Sequence, residues 1–135
     1  MVTVRSYAPA GELHWESDVN GAIRVGVSAK HGGSDENRTP EHLYTAALLN
    51  CFLASFQVIA RKSGLAYDAI EGRADATVER RDGVTWVSEC RIDAIVHGCD
   101  DRERGADILE RAERACTIKN SVETHVEINA AFSDA

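Results

Sequence analysis

The chain lacks the features that mark nucleic-acid binding, membrane insertion and secretion. Its 135 residues carry 15 Lys and Arg against 22 Asp and Glu, and the resulting charge of −7 argues against a nucleic-acid partner. No apolar run approaches the roughly 20 residues of a membrane-spanning helix, so no membrane partner is expected. The segment MVTVRSYAPAGE is too polar for a signal peptide, and the expected location is therefore the cytoplasm.

The four cysteines also lack the C-x-x-C spacing of zinc and dithiol sites. In a reducing compartment static disulfides are not expected, so each cysteine is either a small buried residue or a reactive thiol. Cys90 falls on the apolar face of a predicted strand, which indicates inert packing. Cys99 stands beside Asp100 and Asp101, and these acidic neighbours disfavour a thiolate.

No repeat or linker divides the sequence, which predicts one domain over residues 1–135. Residues 2–7 predict a first strand, and Asn20-Gly21 predicts a turn. Alternating Ile23, Val25 and Val27 predict a strand with one buried face. The polar residues 30–38 predict a loop.

Thr39-Pro40-Glu41 is a helix start, because threonine caps, proline suits the first turn and an acid complements the helix dipole. The helix is predicted to run to about Ser63, where Gly64 ends it. Its apolar residues nearly encircle it, which is typical of a buried central helix. In so small a domain, such a helix suggests that a second subunit covers part of it.

The rest of the chain predicts further strands and one more helix. Residues 67–80 are ambiguous but suit a strand, and Arg81-Asp82-Gly83 suits a turn. A clear strand follows over Val84–Val96, then a helix over about Asp101–Cys116, a polar turn, and a last strand containing Val126, Ile128 and Ala130. The predicted fold class is α+β, in the order strands, long helix, two strands, helix, strand.

Two stretches resemble the OsmC/Ohr family, the osmotically inducible and organic hydroperoxide resistance proteins. TPEHLYTAALLNCF, residues 39–52, is similar to that family's N-P-E-x-L-x-x-A-x-x-x-C-F signature. ACTIKNSVETHVEIN, residues 115–129, is similar to its A-x-x-x-C-P-V-S-N-S-L segment, with Thr117 in place of proline. The resemblance implies an OsmC-like fold and an intertwined homodimer with two long central helices.

The resemblance also implies a thiol-dependent hydroperoxide reductase, with Cys51 as the peroxidatic thiol, Cys116 as the resolving thiol and Glu41 as the active-site glutamate. Cys51 would become a sulfenic acid, Cys116 would close a disulfide, and an external dithiol such as a lipoylated protein would reopen it. No metal or organic cofactor is implied.

Other candidate site residues stay open at this level. Leu48, Phe52 and Phe56 form either a funnel for an organic peroxide or plain core. The family's thiolate-stabilising arginine has no counterpart in residues 11–15, GELHW, so Arg38 is the nearest candidate, ahead of Lys30, His14 and His42.

Glu41 and Cys51 are ten residues apart, about 15 Å along a straight helix. Glu41 therefore serves Cys51 only from another subunit or across a helix break.

Two alternatives to a peroxidase remain. One is an OsmC-like dimer that binds a small apolar ligand in its interface cleft, and the other is a thiol redox sensor. A basic residue near Cys51 would favour the peroxidase over the ligand-binding protein, because a cation stabilises the thiolate.

Overall fold

The computed structural model describes residues 1–134, which divide into two compact units, residues 1–44 and the part that begins at Thr45. The first unit contains a three-stranded antiparallel sheet in the order β1-β2-β3. Its strands are β1 (Arg5–Tyr7), β2 (His14–Asp18) and β3 (Ala22–Gly26). The predicted first strand is thus shorter than residues 2–7, and the predicted loop begins within a 3-10 turn, Ala29–His31.

Residues 37–39 connect this sheet to the long helix. Gly26 N–H donates to the Arg38 carbonyl at 2.9 Å, so the segment extends along β3. The buried Asn37 donates from Nδ2 to the Val27 carbonyl at 3.0 Å and accepts from Arg24 Nε at 3.3 Å. These bonds satisfy a polar side chain that would otherwise be costly to bury.

The long helix α1 spans Pro40–Ser63, as predicted. Thr39 caps it, since its Oγ1 accepts from the His42 N–H at 3.2 Å while His42 Nδ1 accepts from the Thr39 N–H at 3.1 Å. This reciprocal pair is a capping box in which histidine replaces the usual glutamate. At the other end Gly64 has φ of +68°, and the Leu65 N–H donates to the Ala60 carbonyl at 3.0 Å, which is a Schellman ending.

Within the second unit, α1 has one buried and one exposed face. Leu48, Phe52, Phe56 and Ala60 repeat at four-residue spacing and are fully buried. Ala46, Asn50, Ala54 and Val58 repeat in the same way on the opposite side and are exposed. The single chain therefore buries only one side of the helix, which leaves the other side for the second subunit expected from the sequence.

α1 is also more apolar than we expected from the sequence. Its most apolar 18-residue window has a mean hydropathy of 1.6, so by length and composition the helix is able to cross a membrane. Core helices of proteins without a membrane span meet the same criterion, which makes this weak evidence for insertion. Only 22% of the residues in this window are buried within the chain, and the exposed ones leave apolar surface for another partner.

The second sheet has the order β4-β5-β6. β4 (Ala69–Arg81) resolves the ambiguous region as a strand, and it pairs antiparallel with β5 (Val84–His97) around the Asp82-Gly83 turn. β6 (His125–Ser133) is parallel to β5. The apolar face of β5 is buried from Ser88 onward, whereas Val84 and Trp86, nearer the turn, are exposed.

Two helices connect β5 to β6, where one was predicted. α2 spans Arg102–Ala115, and Asp101 is its N-cap, not its first residue. Ala115, the last residue of α2, is exposed. The predicted polar turn is a short helix, α3 (Thr117–Asn120).

Close backbone approaches pack the helices against this sheet. A Cβ on Gly72 of β4 would lie 2.7 Å from Leu49 Cδ1, and one on Gly105 of α2 would lie 2.9 Å from the Phe132 ring of β6. A side chain at either glycine would thus require these neighbouring side chains to move.

Candidate functional site

Cys51 lies at the border between the buried and the exposed face of α1 and is partly accessible. It lines an open groove of about 260 Å³, here called the Cys51 groove. The other lining residues are small or aliphatic: Ala54, Ser55, Val58, Ile59 and Ala115. An apolar groove that ends at an accessible thiol admits an apolar molecule to the sulfur.

Cys116 occupies the junction between α2 and α3 and is only 1% exposed. It has extended backbone angles, φ −68° and ψ 99°, and it is both the C-cap of α2 and the N-cap of α3. Its N–H donates to the Glu113 carbonyl at 3.3 Å, and its carbonyl accepts from the Asn120 N–H at 3.0 Å. The sequence predicted the helix that ends at Cys116 but not the short helix that begins there.

The surroundings of Cys116 show that the two thiols are neighbours. Burial raises the pKa of the Cys116 thiol, and Cys51 raises it further as a hydrogen-bond partner and as a charge. The backbone N–H groups of Lys119 and Ile118 lower the pKa of the Cys116 thiol. They lie near its sulfur, but their geometry is not that of a normal hydrogen bond. Because burial prevails, the raised pKa keeps Cys116 protonated near neutral pH and suits it to react second.

The other two cysteines lie outside the Cys51 groove. Cys90 is buried on β5, and burial together with the charge of Asp75 raises the pKa of its thiol. Cys99 donates from Sγ to the Asp101 carbonyl at 3.4 Å. The burial of Cys90 agrees with the expected packing role, whereas the inertness of Cys99 stays a prediction.

The predicted funnel residues do not line the groove. Leu48, Phe52 and Phe56 have no exposed surface and belong to the face of α1 that packs into the core. Phe56 makes an edge-to-face contact with Tyr67 at 5.2 Å between ring centroids. Of the two alternatives that the sequence left open, their burial favours core packing. The groove is lined instead by other residues of α1, which are exposed or half-buried, and by Ala115 of α2.

The polar candidates lie in the first unit. Glu41 is in the first turn of α1, and Arg38 Nη1 donates to the Arg24 carbonyl at 3.3 Å. His42 is engaged by the Thr39 cap, and Lys30 belongs to the exposed 3-10 turn. His14 begins β2 and is exposed.

A further cation lies three residues after Cys116 in the sequence. Lys119 Nζ is 3.3 Å from Glu113 Oε2, and these two residues flank Cys116. The sequence gives no signal for this pair, because a spacing of six residues matches no regular helix contact. It forms only because the chain breaks between α2 and α3.

Among residues 1–134, no group of three or more His, Cys, Asp or Glu side chains is arranged to hold a metal ion.

The fold and the site together define an α+β protein with an accessible helix thiol beside a second, buried thiol. The profile of the OsmC-like protein family matches residues 32–131, and the chain therefore belongs to the OsmC-like family. This bears out the resemblance in the two cysteine-containing segments. A search of curated proteins finds no match to the chain.

Solved structures of the same fold cover nearly the whole chain. An OsmC-like protein of unknown function from Vibrio cholerae is 18% identical, with a TM-score of 0.85 over 96% of this chain and 98% of that one. An OsmC-like protein from Mycoplasma pneumoniae is 12% identical, with a TM-score of 0.83 over 98% and 97%. An organic hydroperoxide resistance protein from Elizabethkingia anophelis, with thiocyanate bound, is 21% identical, with a TM-score of 0.76 over 100% and 98%. At these identities the likeness establishes the fold alone.

Proposed function

We propose that the protein is a cysteine-based hydroperoxide reductase with a role in peroxide resistance. The observation that carries this proposal is the arrangement of the thiols: Cys51 opens into an apolar groove, and Cys116 lies next to it with almost no exposure. Membership of the OsmC-like family supports it, as does the similarity in fold to an organic hydroperoxide resistance protein from Elizabethkingia anophelis.

The chemistry follows from the different surroundings of the two sulfurs. The Cys51 thiolate attacks the terminal peroxide oxygen, the O–O bond breaks, and the alcohol leaves with a proton while Cys51 becomes a sulfenic acid. The Cys116 sulfur then attacks the Cys51 sulfur, water leaves, and a disulfide forms. The peroxide has been reduced by two electrons and the thiol pair oxidised by two.

An external dithiol, such as a lipoylated protein, closes the proposed cycle by thiol–disulfide exchange. The open groove leads to Cys51, whereas Cys116 is buried, so the incoming thiol attacks the Cys51 sulfur and Cys116 is the leaving group. A reductant with an apolar arm suits the lining of the groove.

The exposed face of α1 supports a homodimer. Ala46, Ala54 and Val58 are exposed there, and Val58 keeps 52% of its surface. Apolar side chains at a four-residue spacing pack well against a second helix, and small ones allow a close approach. A second copy of the chain is the occupant we propose for this face.

Glu41 and Arg38 complete the proposed site. Because α1 runs unbroken from Pro40 to Ser63, Glu41 remains ten residues before Cys51 on one helix, and we assign it to the Cys51 of the other subunit. Arg38, just before the cap, is the cation proposed to pair with it and to favour the thiolate.

The test is consumption of cumene hydroperoxide by the purified protein with a dithiol as reductant. We expect catalytic turnover in the wild type, none in Cys51→Ser, and unchanged turnover in Cys99→Ser, which removes a thiol outside the groove. Arg38→Met should lower the rate of the first step. A wild type that consumes peroxide no faster than free cysteine would contradict the proposal.

The second candidate is a protein that binds a small apolar ligand without turnover. The nearly uniform apolar lining of the Cys51 groove favours it. In that case an apolar fluorescent probe would bind to the wild type, and the Cys51→Ser variant would bind it equally well.

A further inference from the structure

α3 is too short to be stable by itself. It has four residues, and isolated helices below about 12 residues are marginal in water even for favourable sequences. Its position therefore depends on contacts with the end of α2. Because Cys116 is the residue between the two helices, whatever fixes α3 also fixes this thiol.

Two side-chain contacts connect α3 to α2. Asn120 Nδ2 donates to the Arg114 carbonyl at 3.0 Å. Lys119 Nζ lies 3.3 Å from Glu113 Oε2, with side chains 26% and 41% exposed. This ion pair is more shielded than the Asp107–Arg111 pair of α2, where the side chains are 64% and 46% exposed and the atoms 3.7 Å apart.

The two residues of the Glu113–Lys119 ion pair also approach Cys116 through their backbone groups. The Cys116 N–H donates to the carbonyl of Glu113, the same residue that binds Lys119 through its side chain. The N–H of Lys119 is in turn one of the two groups that face the Cys116 sulfur. One ion pair thus connects a residue three positions before the thiol with a residue three positions after it.

We propose that Glu113 and Lys119 are positioning residues that hold Cys116 in place for disulfide closure with Cys51. This inference shares one premise with the proposed function, which is that Cys51 and Cys116 form a disulfide. Without the ion pair, α3 samples more positions, and the Cys116 sulfur spends less time aligned with Cys51. Closure then slows, whereas the first reaction of Cys51 is unaffected.

Closure can be measured without any peroxide. In a Cys99→Ser background, Cys51 reacts with dithiobis-nitrobenzoate, which gives a mixed disulfide and releases one aryl thiolate. The Cys116 sulfur then attacks the Cys51 sulfur, the bond to the aryl sulfur breaks, and a second aryl thiolate leaves while the Cys116 proton goes to water. The absorbance of this second release gives the closure rate.

Lys119→Met and Glu113→Gln should each slow the second release about two- to fivefold, the range expected from a partly exposed ion pair. Each should also shift the pH profile of closure upward, because the Lys119 N–H no longer offsets the effect of burial on the pKa of Cys116. The double variant Glu113→Lys with Lys119→Glu should restore the rate. Arg111→Met, which breaks the other ion pair of α2, should close at the wild-type rate.

Several results would overturn the inference. Wild-type closure in Lys119→Met, equal slowing in Arg111→Met, or no recovery in the charge-swapped variant would each show that the ion pair does not position Cys116. These results leave the proposed function standing. A wild type that never releases the second aryl thiolate would contradict the pairing of the thiols, and with it both proposals.

Discussion

At the scale of single residues, burial has the same effect on two thiols with different roles. It is the main cause that raises the pKa of both Cys90 and Cys116. For Cys90, in the core of the sheet, a protonated thiol is simply an apolar filler. For Cys116 the protonated form fits the proposed mechanism, in which this thiol reacts only after Cys51.

These two raised pKa values predict a loss of stability at alkaline pH. A thiol whose pKa is higher in the folded chain binds its proton more tightly there. Its contribution is complete below the ordinary thiol pKa of about 8.5 and is lost as the pH rises through the folded value. Urea unfolding at pH 7.5 and at about pH 10 should show this loss, and Cys90→Ala should reduce it. An equal loss in the variant would contradict the assignment to Cys90.

At the scale of elements, local signals were enough to predict where α1 begins and ends. Thr39-Pro40-Glu41 and Gly64 act through nearby backbone groups, so their effect is visible in the sequence. The buried face of α1 was not predictable, because apolar residues around the whole helix do not indicate which side packs into the core. Leu48, Phe52 and Phe56 therefore stayed ambiguous until their packing was known.

The α2–α3 junction was missed for a related reason. α3 has four residues and no strong pattern, and it is held by contacts that exist only in the folded chain. The family resemblance implies that Cys51 and Cys116 act as a pair, and this stays a prediction. The groove lining and the Glu113–Lys119 ion pair required coordinates, because they depend on contacts between residues far apart in the chain or across a helix junction.

The Thr39 cap leads to a prediction at this same scale. Thr39→Ala removes the acceptor of the His42 N–H, and loss of an N-cap typically costs about 0.5–2 kcal/mol. Thr39→Ser keeps the hydroxyl and should stay near the wild type. The free energy of unfolding in urea gives the comparison. Equal stability of the alanine and serine variants would show that the cap does not contribute.

At the scale of the whole molecule, the exposed apolar face of α1 is the feature that a single chain leaves unexplained. Only 22% of the apolar window of α1 is buried, although its mean hydropathy is 1.6. A second copy of the chain would cover this surface, and it would also place the Cys51 groove beside the interface.

Val58→Glu tests this dimer. Val58 is 52% exposed, so a charge there leaves the core of one chain intact but opposes burial of the helix face. We expect the wild type to have twice the mass of the chain in light scattering and the variant to shift toward the monomer. Ile95→Glu, on the outer side of β5, is the matched control and should remain dimeric. A Val58→Glu protein that stays dimeric would place the interface elsewhere.

The central claim is that Cys51 and Cys116 form the redox pair of a hydroperoxide reductase. The most direct measurement is a single-turnover reaction of the reduced protein with one equivalent of cumene hydroperoxide, in parallel with hydrogen peroxide, followed by mass-spectrometric mapping of the oxidised peptides. We expect rapid loss of two thiols into a Cys51–Cys116 disulfide, faster with the organic peroxide, and a Cys51 sulfenic acid in Cys116→Ser. Slow oxidation spread over Cys51, Cys90, Cys99 and Cys116, with no preferred disulfide, would contradict it.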